Sequence, residues 1–144
     1  MTQIPRAALI LGLAGVLPFA LPILALVLGL ASPFGIPWQA VQILYGLTIL
    51  AFMSGCLWGF AAKVEDSTGY ALSTLPALYG FFVLVLVMPI SSTATTVLFA
   101  FGFPALLLLD LRAARLGQSP MWWNPLRVLL TSLVTVCLLV GAIV

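Results

Sequence analysis

The chain has 144 residues, of which 64% are hydrophobic and 6% charged, and its mean hydropathy is +1.30. Soluble domains carry roughly 25% charged residues, so a water-soluble fold is excluded for want of polar side chains to cover its surface. The net charge of +2 comes from dispersed cations with no basic run, which argues against a nucleic-acid partner and for cytoplasmic-side anchors on anionic lipid.

A bilayer core of ~30 Å is crossed by about 20 helical residues. Five segments meet that length, at about 7–30, 38–62, 70–90, 93–111 and 124–144. The expected fold is all-α: one domain over residues 1–144, a bundle of five transmembrane helices. In the first segment, Arg6 precedes an apolar run from Ala7 to Ala31. That run exceeds the ~7–15 residues of a signal-peptide core, so it reads as a retained span despite the cleavage-like Gly29-Leu30-Ala31. Pro18 and Pro22 each remove a backbone hydrogen bond and predict kinks there. Ser32-Pro33-Phe34-Gly35-Ile36-Pro37 then breaks the chain, with Pro37 suited to the first position of the next helix.

The second span carries Tyr45-Gly46 and then Ser54-Gly55-Cys56-Leu57-Trp58-Gly59. Gly55 and Gly59 form a GxxxG pair beside Ser54, a surface on which two helix backbones approach closely in lipid. Gly46, Ser54, Gly55, Trp58 and Gly59 are therefore candidate packing residues, either inside this bundle or against a partner's transmembrane helix. Trp58, one turn before Lys63, also fits an interface anchor. Gln39, Gln42 and Tyr45 lie nearer the other end of this span. Such groups either line a pocket for a quinone or lipid headgroup or hydrogen-bond neighbouring helices.

The polar stretch from Lys63 to Gly69 precedes the third span, with Ser67 or Thr68 able to cap it. Pro76 predicts a kink within it, and Pro104 another in the fourth span. Between these two, Pro89 and Ser91-Ser92-Thr93 form a tight turn. Arg112, Arg115, Met121, Trp122 and Trp123 suggest that the 112–123 connection lies along the interface with its tryptophans at headgroup level. Arg112, Arg115, Trp122 and Trp123 are thus expected interface anchors, serving as an ordinary aromatic belt or as a docking platform. Asn124-Pro125 reads as an N-cap with proline at the first helical position of the fifth span. Asp110 closes the fourth span and Arg127 opens the fifth, so antiparallel neighbours bring them to one depth. An Asp110–Arg127 ion pair is expected to staple this hairpin, because an unpaired carboxylate near hydrocarbon is costly. Thr131 and Thr135, spaced by four, share a helix face with Arg127.

Five spans place the N-terminus, the 63–69 loop and the 112–123 loop on one side, and these carry every Lys and Arg. The positive-inside rule then puts the N-terminus in the cytoplasm (or the mitochondrial matrix) and the C-terminus opposite. There is no histidine, which removes Ser-His-Asp catalysis, His-liganded metals and axial haem histidine. Cys56 lies roughly 10 Å below the charged boundary and Cys137 roughly 20 Å, at ~1.5 Å per residue. Such depths do not suit a disulfide, whose Cα atoms lie within ~7 Å. No catalytic, cofactor-binding or metal-binding residue is expected. The sequence contains no repeat, and five spans do not divide into two halves, which speaks against an inverted-repeat transporter.

Ile4-Pro5-Arg6-Ala7-Ala8, Tyr45-Gly46, Phe52-Met53-Ser54-Gly55-Cys56-Leu57-Trp58-Gly59, Leu109-Asp110-Leu111-Arg112 and Trp123-Asn124-Pro125-Leu126-Arg127 with Leu130-Thr131 carry a resemblance. Across nearly its whole length the chain resembles the family of small inner-membrane proteins related to transmembrane protein 69, a domain of unknown function. The resemblance implies a bacterial cytoplasmic (inner) membrane or mitochondrial inner-membrane location and leaves activity open. A basic residue often precedes the family's Trp-Gly, whereas Leu57 stands there in this chain. The functional expectation is a non-catalytic accessory or assembly subunit. Its partners would be the lipid bilayer and another membrane protein, for example a larger bioenergetic complex. The alternative is a small transporter or a lipid- or quinone-binding protein. An enzyme using Asp110 and an arginine on a lipid headgroup comes last.

Overall fold

The computed structural model describes residues 3–32 and 35–144; Met1 and Thr2, and Pro33 and Phe34 of the first expected turn, lie outside the described residues. The described residues form α1 (Arg6–Ala14), α2 (Leu17–Val27), α3 (Trp38–Val64), α4 (Ser67–Val87), α5 (Ser92–Arg115) and α6 (Trp123–Ile143). Counted as membrane spans these are five, since α1 and α2 continue one another over Arg6–Val27. Each helix turns large apolar side chains outward: Leu11, Leu21, Phe52, Phe82, Leu108 and Val136 are all exposed. A surface of that kind on every element has lipid as its solvent, and the helices satisfy their backbone groups internally as lipid requires.

α3 and α5 are the most enclosed spans. α3 packs on α4 and α5, and α6 packs on α5, with α2 filling the angle between α3 and α6. The core follows from helical spacing. On α5, Phe99, Phe103, Leu106, Asp110 and Ala113 recur at three and four residues and are all buried, which places them on one face. On α6 the same rule aligns the buried Arg127, Thr131, Val134, Leu138 and Gly141. Phe19 of α2 meets Phe103 edge-on at 5.7 Å and Tyr45 at 4.9 Å.

Of the internal prolines only Pro18 adjoins a helix interruption, Pro22, Pro76 and Pro104 lying inside continuous helices, and α3 bonds backbone groups freed next to Pro18 and Pro76. Pro18 has no N–H to return to Ala14, so the first span tightens between α1 and α2. Val16 and Phe19 donate instead to Leu13 O at 3.0 Å and Val16 O at 2.9 Å. That leaves Gly15 O free of its usual helical donor, and Tyr45 Oη of α3 donates to it at 3.0 Å. In α4 the residue after Pro76 is drawn the same way: Ala77 N–H donates to Ser54 Oγ at 3.0 Å. Ser54 is therefore an internal packing residue, as is Gly46, where an added Cβ would come within 3.0 Å of the Phe99 ring.

Gln39 borders an open recess of about 520 Å³ beside Trp38 and Gly141, whereas Gln42 and Tyr45 reach backbone carbonyls of neighbouring helices. Gln42 Nε2 donates to Phe19 O at 2.9 Å and Cys137 O at 3.1 Å, and Gln39 Nε2 to Gly141 O at 3.3 Å. These side chains are spent tying α2, α3 and α6 together, each such bond in lipid contributing about 0.6 kcal/mol. A Cβ at Gly141 would overlap the Gln42 amide, so glycine is what admits it.

Three expected boundaries also shift. Glu65 adopts a left-handed conformation (φ 56°) and Asp66 N–H returns to Ala61 O at 3.0 Å. α4 consequently starts at Ser67, with Asp66 rather than Ser67 or Thr68 at the cap. α5 runs to Arg115, one turn past the expected end, and closes through left-handed Gly117 with Gln118 N–H on Ala113 O at 2.9 Å. α6 begins at Trp123, whose N–H reaches Pro120 O at 3.0 Å. Asn124 therefore falls inside the first turn rather than at the N-cap.

Candidate functional site at the charged end of the bundle

The helix order brings all the charged residues to the end of the bundle where α1, α4 and α6 begin and α3 and α5 finish. Two carboxylates organise that end. Asp110 is fully buried on the core face of α5. Its Oδ2 accepts from Arg127 Nε at 2.8 Å and its Oδ1 from Trp123 Nε1 at 2.7 Å. Arg127 is itself 5% exposed. An arginine normally meets a carboxylate with two parallel N–H donors. Here the Trp123 indole occupies the second carboxylate oxygen, and Arg127 Nη2 is left buried with no partner among the described residues. Thr131 Oγ1, one turn further along α6, is likewise buried and without a partner.

Asp66 sits in the short turn between α3 and α4. Its Oδ2 accepts from Arg112 Nη1 at 2.9 Å and from Gln118 Nε2 at 2.9 Å. The left-handed turn at Gly117 is what aims Gln118 back at Asp66. The Gln118 amide first, and the Arg112 guanidinium with it, hold the Asp66 carboxyl well below the usual carboxylate range. Because Asp66 lies at the start of α4 and both donors at the end of α5, this pair closes the second half of the bundle as Asp110–Arg127 closes the last hairpin.

Beside Arg127 a cavity of about 320 Å³ opens between α1, α2, α3 and α6. Its walls are apolar, formed by residues such as Leu11, Phe19, Phe52, Met53 and Leu126, and Trp122, Arg127 and Thr131 also border it. α1, which buries none of its own residues, rests on α6 and forms the outer wall.

The residues singled out in the sequence are thus distributed over several tasks. Asp110 and Arg127 meet. Gly46 and Ser54 face inward, whereas an added Cβ at Gly55 or Gly59 would meet nothing within 4 Å. The GxxxG pair therefore does not pack inside this bundle: α3 turns that face outward because the opposite one carries Leu50, Met53, Leu57 and Ala61 into the core. Trp58 lies at the surface with its ring 4.9 Å from Tyr70. Two of the expected interface anchors have other work. Trp123 points inward, to Asp110 and edge-on to Phe60 at 5.0 Å, and Arg112 is taken by Asp66. Trp122 borders the cavity, and Arg115 alone of the four is exposed. The 116–122 connection is a compact turn held by helix-closing hydrogen bonds, too short to lie along an interface as a segment of its own. Sequence reasoning missed Asp66, Gln118 and the Trp123–Asp110 bond. The weak signal for them was a carboxylate in a loop opposite the basic end of α5. Cys56 and Cys137 are both free thiols.

The family profile described as a protein of unknown function (DUF3429) matches residues 4–143. Transmembrane protein 69 of Xenopus tropicalis is 35% identical over 146 aligned positions, covering 97% of this chain and 54% of the frog protein. Transmembrane protein 69 of Mus musculus is 29% identical, covering 88% of this chain and 51% of the mouse protein. The chain thus spans about half the length of these curated relatives. No solved structure matches. With the profile running from the start of the first span to the end of the last, the chain belongs to the DUF3429 family of membrane proteins.

Proposed function

We propose that this protein is a non-catalytic accessory or assembly subunit that packs against a larger membrane complex through the outer face of α3. One observation carries the reading. Ala51, Gly55 and Gly59, spaced by four, form an exposed line of small residues on α3, and the two glycines have open space where a side chain would stand. Lipid-facing positions ordinarily hold large apolar side chains, as Phe52 does beside them. In a membrane, small residues are useful where a second helix approaches closely, because association there depends on van der Waals contact. Partner contact at this face, an inner-membrane location and a cytoplasmic N-terminus together make up the proposal.

Replacing Gly55 and Gly59 by leucine tests it, since an added Cβ at either position has open space around it. Wild type and variant are purified from native membranes in a mild detergent and their masses compared. The expected result is equal yield, with a larger assembly for wild type and an isolated subunit for the variant. An isolated subunit in both cases would overturn the reading.

A further inference from the structure

The cavity beside Arg127 was not expected from the sequence, and its lining suggests an occupant. Several hydroxyls in these helices bond the carbonyl one turn back, as Thr95 does to Ser91 O at 2.8 Å, Thr96 to Ser92 O at 2.9 Å and Ser132 to Val128 O at 2.8 Å, whereas Thr131 and Thr135 of α6 are buried without a partner among the described residues. Of these two, Thr131, 4% exposed, is the one that borders the cavity. Arg127, 5% exposed, keeps Nη2 unpaired while its Nε is held by Asp110. Both residues border the same apolar cavity. Buried donors without acceptors are costly in low dielectric, and these two, one turn apart on α6 and shielded from solvent, belong to residues at the edge of an otherwise apolar space.

From this geometry we infer that the cavity is a binding site for a neutral lipophile carrying a carbonyl oxygen, which accepts from Arg127 and Thr131 while its apolar body lies against Leu11, Phe19, Phe52 and Met53. The charge argues for neutrality. Asp110 already balances Arg127, so an anionic head would bring an unmatched negative charge beside a buried carboxylate. The volume of about 320 Å³ lies at the lower end of the ~300–1,000 Å³ typical of small-molecule sites, enough for a substituted ring or part of an acyl chain. Entry is from the membrane, where the exposed side chains of Leu11 and Phe52 flank the cavity. A quinone ring and a glycerolipid ester share this chemistry, and the experiment separates them.

The test uses the whole chain in detergent micelles. Decylubiquinone is titrated while tryptophan fluorescence is followed, because Trp122 and Trp123 border the cavity. In parallel, the protein is equilibrated with phosphatidylcholine or with oleate and bound adducts are read by native mass spectrometry. Two variants accompany wild type. Ala8→Phe fills the cavity from α1, which buries no residue of its own, and Thr131→Val removes a hydroxyl that no group among the described residues uses. The expected result is saturable binding of decylubiquinone or retention of phosphatidylcholine. Ala8→Phe should abolish it, and Thr131→Val should weaken it roughly 2- to 10-fold, the loss of one neutral hydrogen bond. Saturable quenching assigns the site to a quinone, and a retained phospholipid assigns it to a glycerolipid. Binding of oleate alone, binding unchanged in Ala8→Phe, or no saturable binding of any of the three would overturn the inference.

Discussion

Asp110 and Asp66 are built from the same parts and placed in different solvents. Each accepts one bond from an arginine and one from a neutral N–H, that of Trp123 for Asp110 and of Gln118 for Asp66. Asp110 is completely buried, whereas the Arg112–Asp66 pair keeps side-chain exposures of 32% and 17%. Water screens the second pair and can replace either partner; for the first, hydrocarbon offers nothing in exchange. The same chemistry is therefore a structural requirement at one site and an adjustable clasp at the other.

The sharpest way to break the comparison is Arg127→Ala. It leaves a buried carboxylate with only the indole, and removing one partner of a buried pair costs about 3–5 kcal/mol. Folded yield by fluorescence-detected size exclusion should fall severely, and adding Asp110→Asn should recover part of it. An unaltered yield would show that Asp110 reaches water. Next in size is Trp123→Phe, which keeps the ring but deletes the donor to Asp110; loss of one hydrogen bond to a charged group costs about 1.5–3 kcal/mol. A thermal melt in detergent should drop accordingly, less than for Arg127→Ala.

Asp66→Asn should have a smaller effect, visible mainly as a change in pH dependence. The folded Asp66 carboxyl titrates below its unfolded value of about 3.9, so its contribution is present above that pH and is lost as pH falls through the folded value. The melting temperatures of wild type and Asp66→Asn should differ at neutral pH and draw together below about pH 4. A gap that stays constant on acidification would remove Asp66 as its source. The smallest effect belongs to Gln118→Ala, which leaves Arg112 in place: its melt at neutral pH should lie between those of wild type and Asp66→Asn.

Much of the fold was legible because the bilayer imposes a simple demand. A run of about 20 apolar residues must become a helix, and charge can rest only at its ends, so the five spans and the clustering of charges at one end follow directly. The Asp110–Arg127 meeting was legible for the same reason: two charges flanking one short connection between antiparallel helices share a depth. The direction of a helix face was not legible. In the second span both sides read as apolar with small residues, and hydropathy has no period where lipid and core are equally greasy. Gly46 and Gly55 therefore look alike in sequence, although one abuts Phe99 and the other faces outward. The bond from Trp123 to Asp110 was hidden for a related reason, since an indole near a helix start suits a headgroup or a buried carboxylate equally well until α5 is placed beside it.

By itself, the sequence determined the solvent, the number of crossings and the end of the bundle that holds the charges, all properties of single segments transferring from water to hydrocarbon. Only the tertiary structure decided which donors meet which acceptors. That includes the glutamines bonded to backbone carbonyls, the indole displacing half of an arginine fork, and the unpaired Arg127 and Thr131 beside a cavity. Hydrogen bonding is directional and short-ranged, and its outcome depends on how helices far apart in the chain rotate against one another.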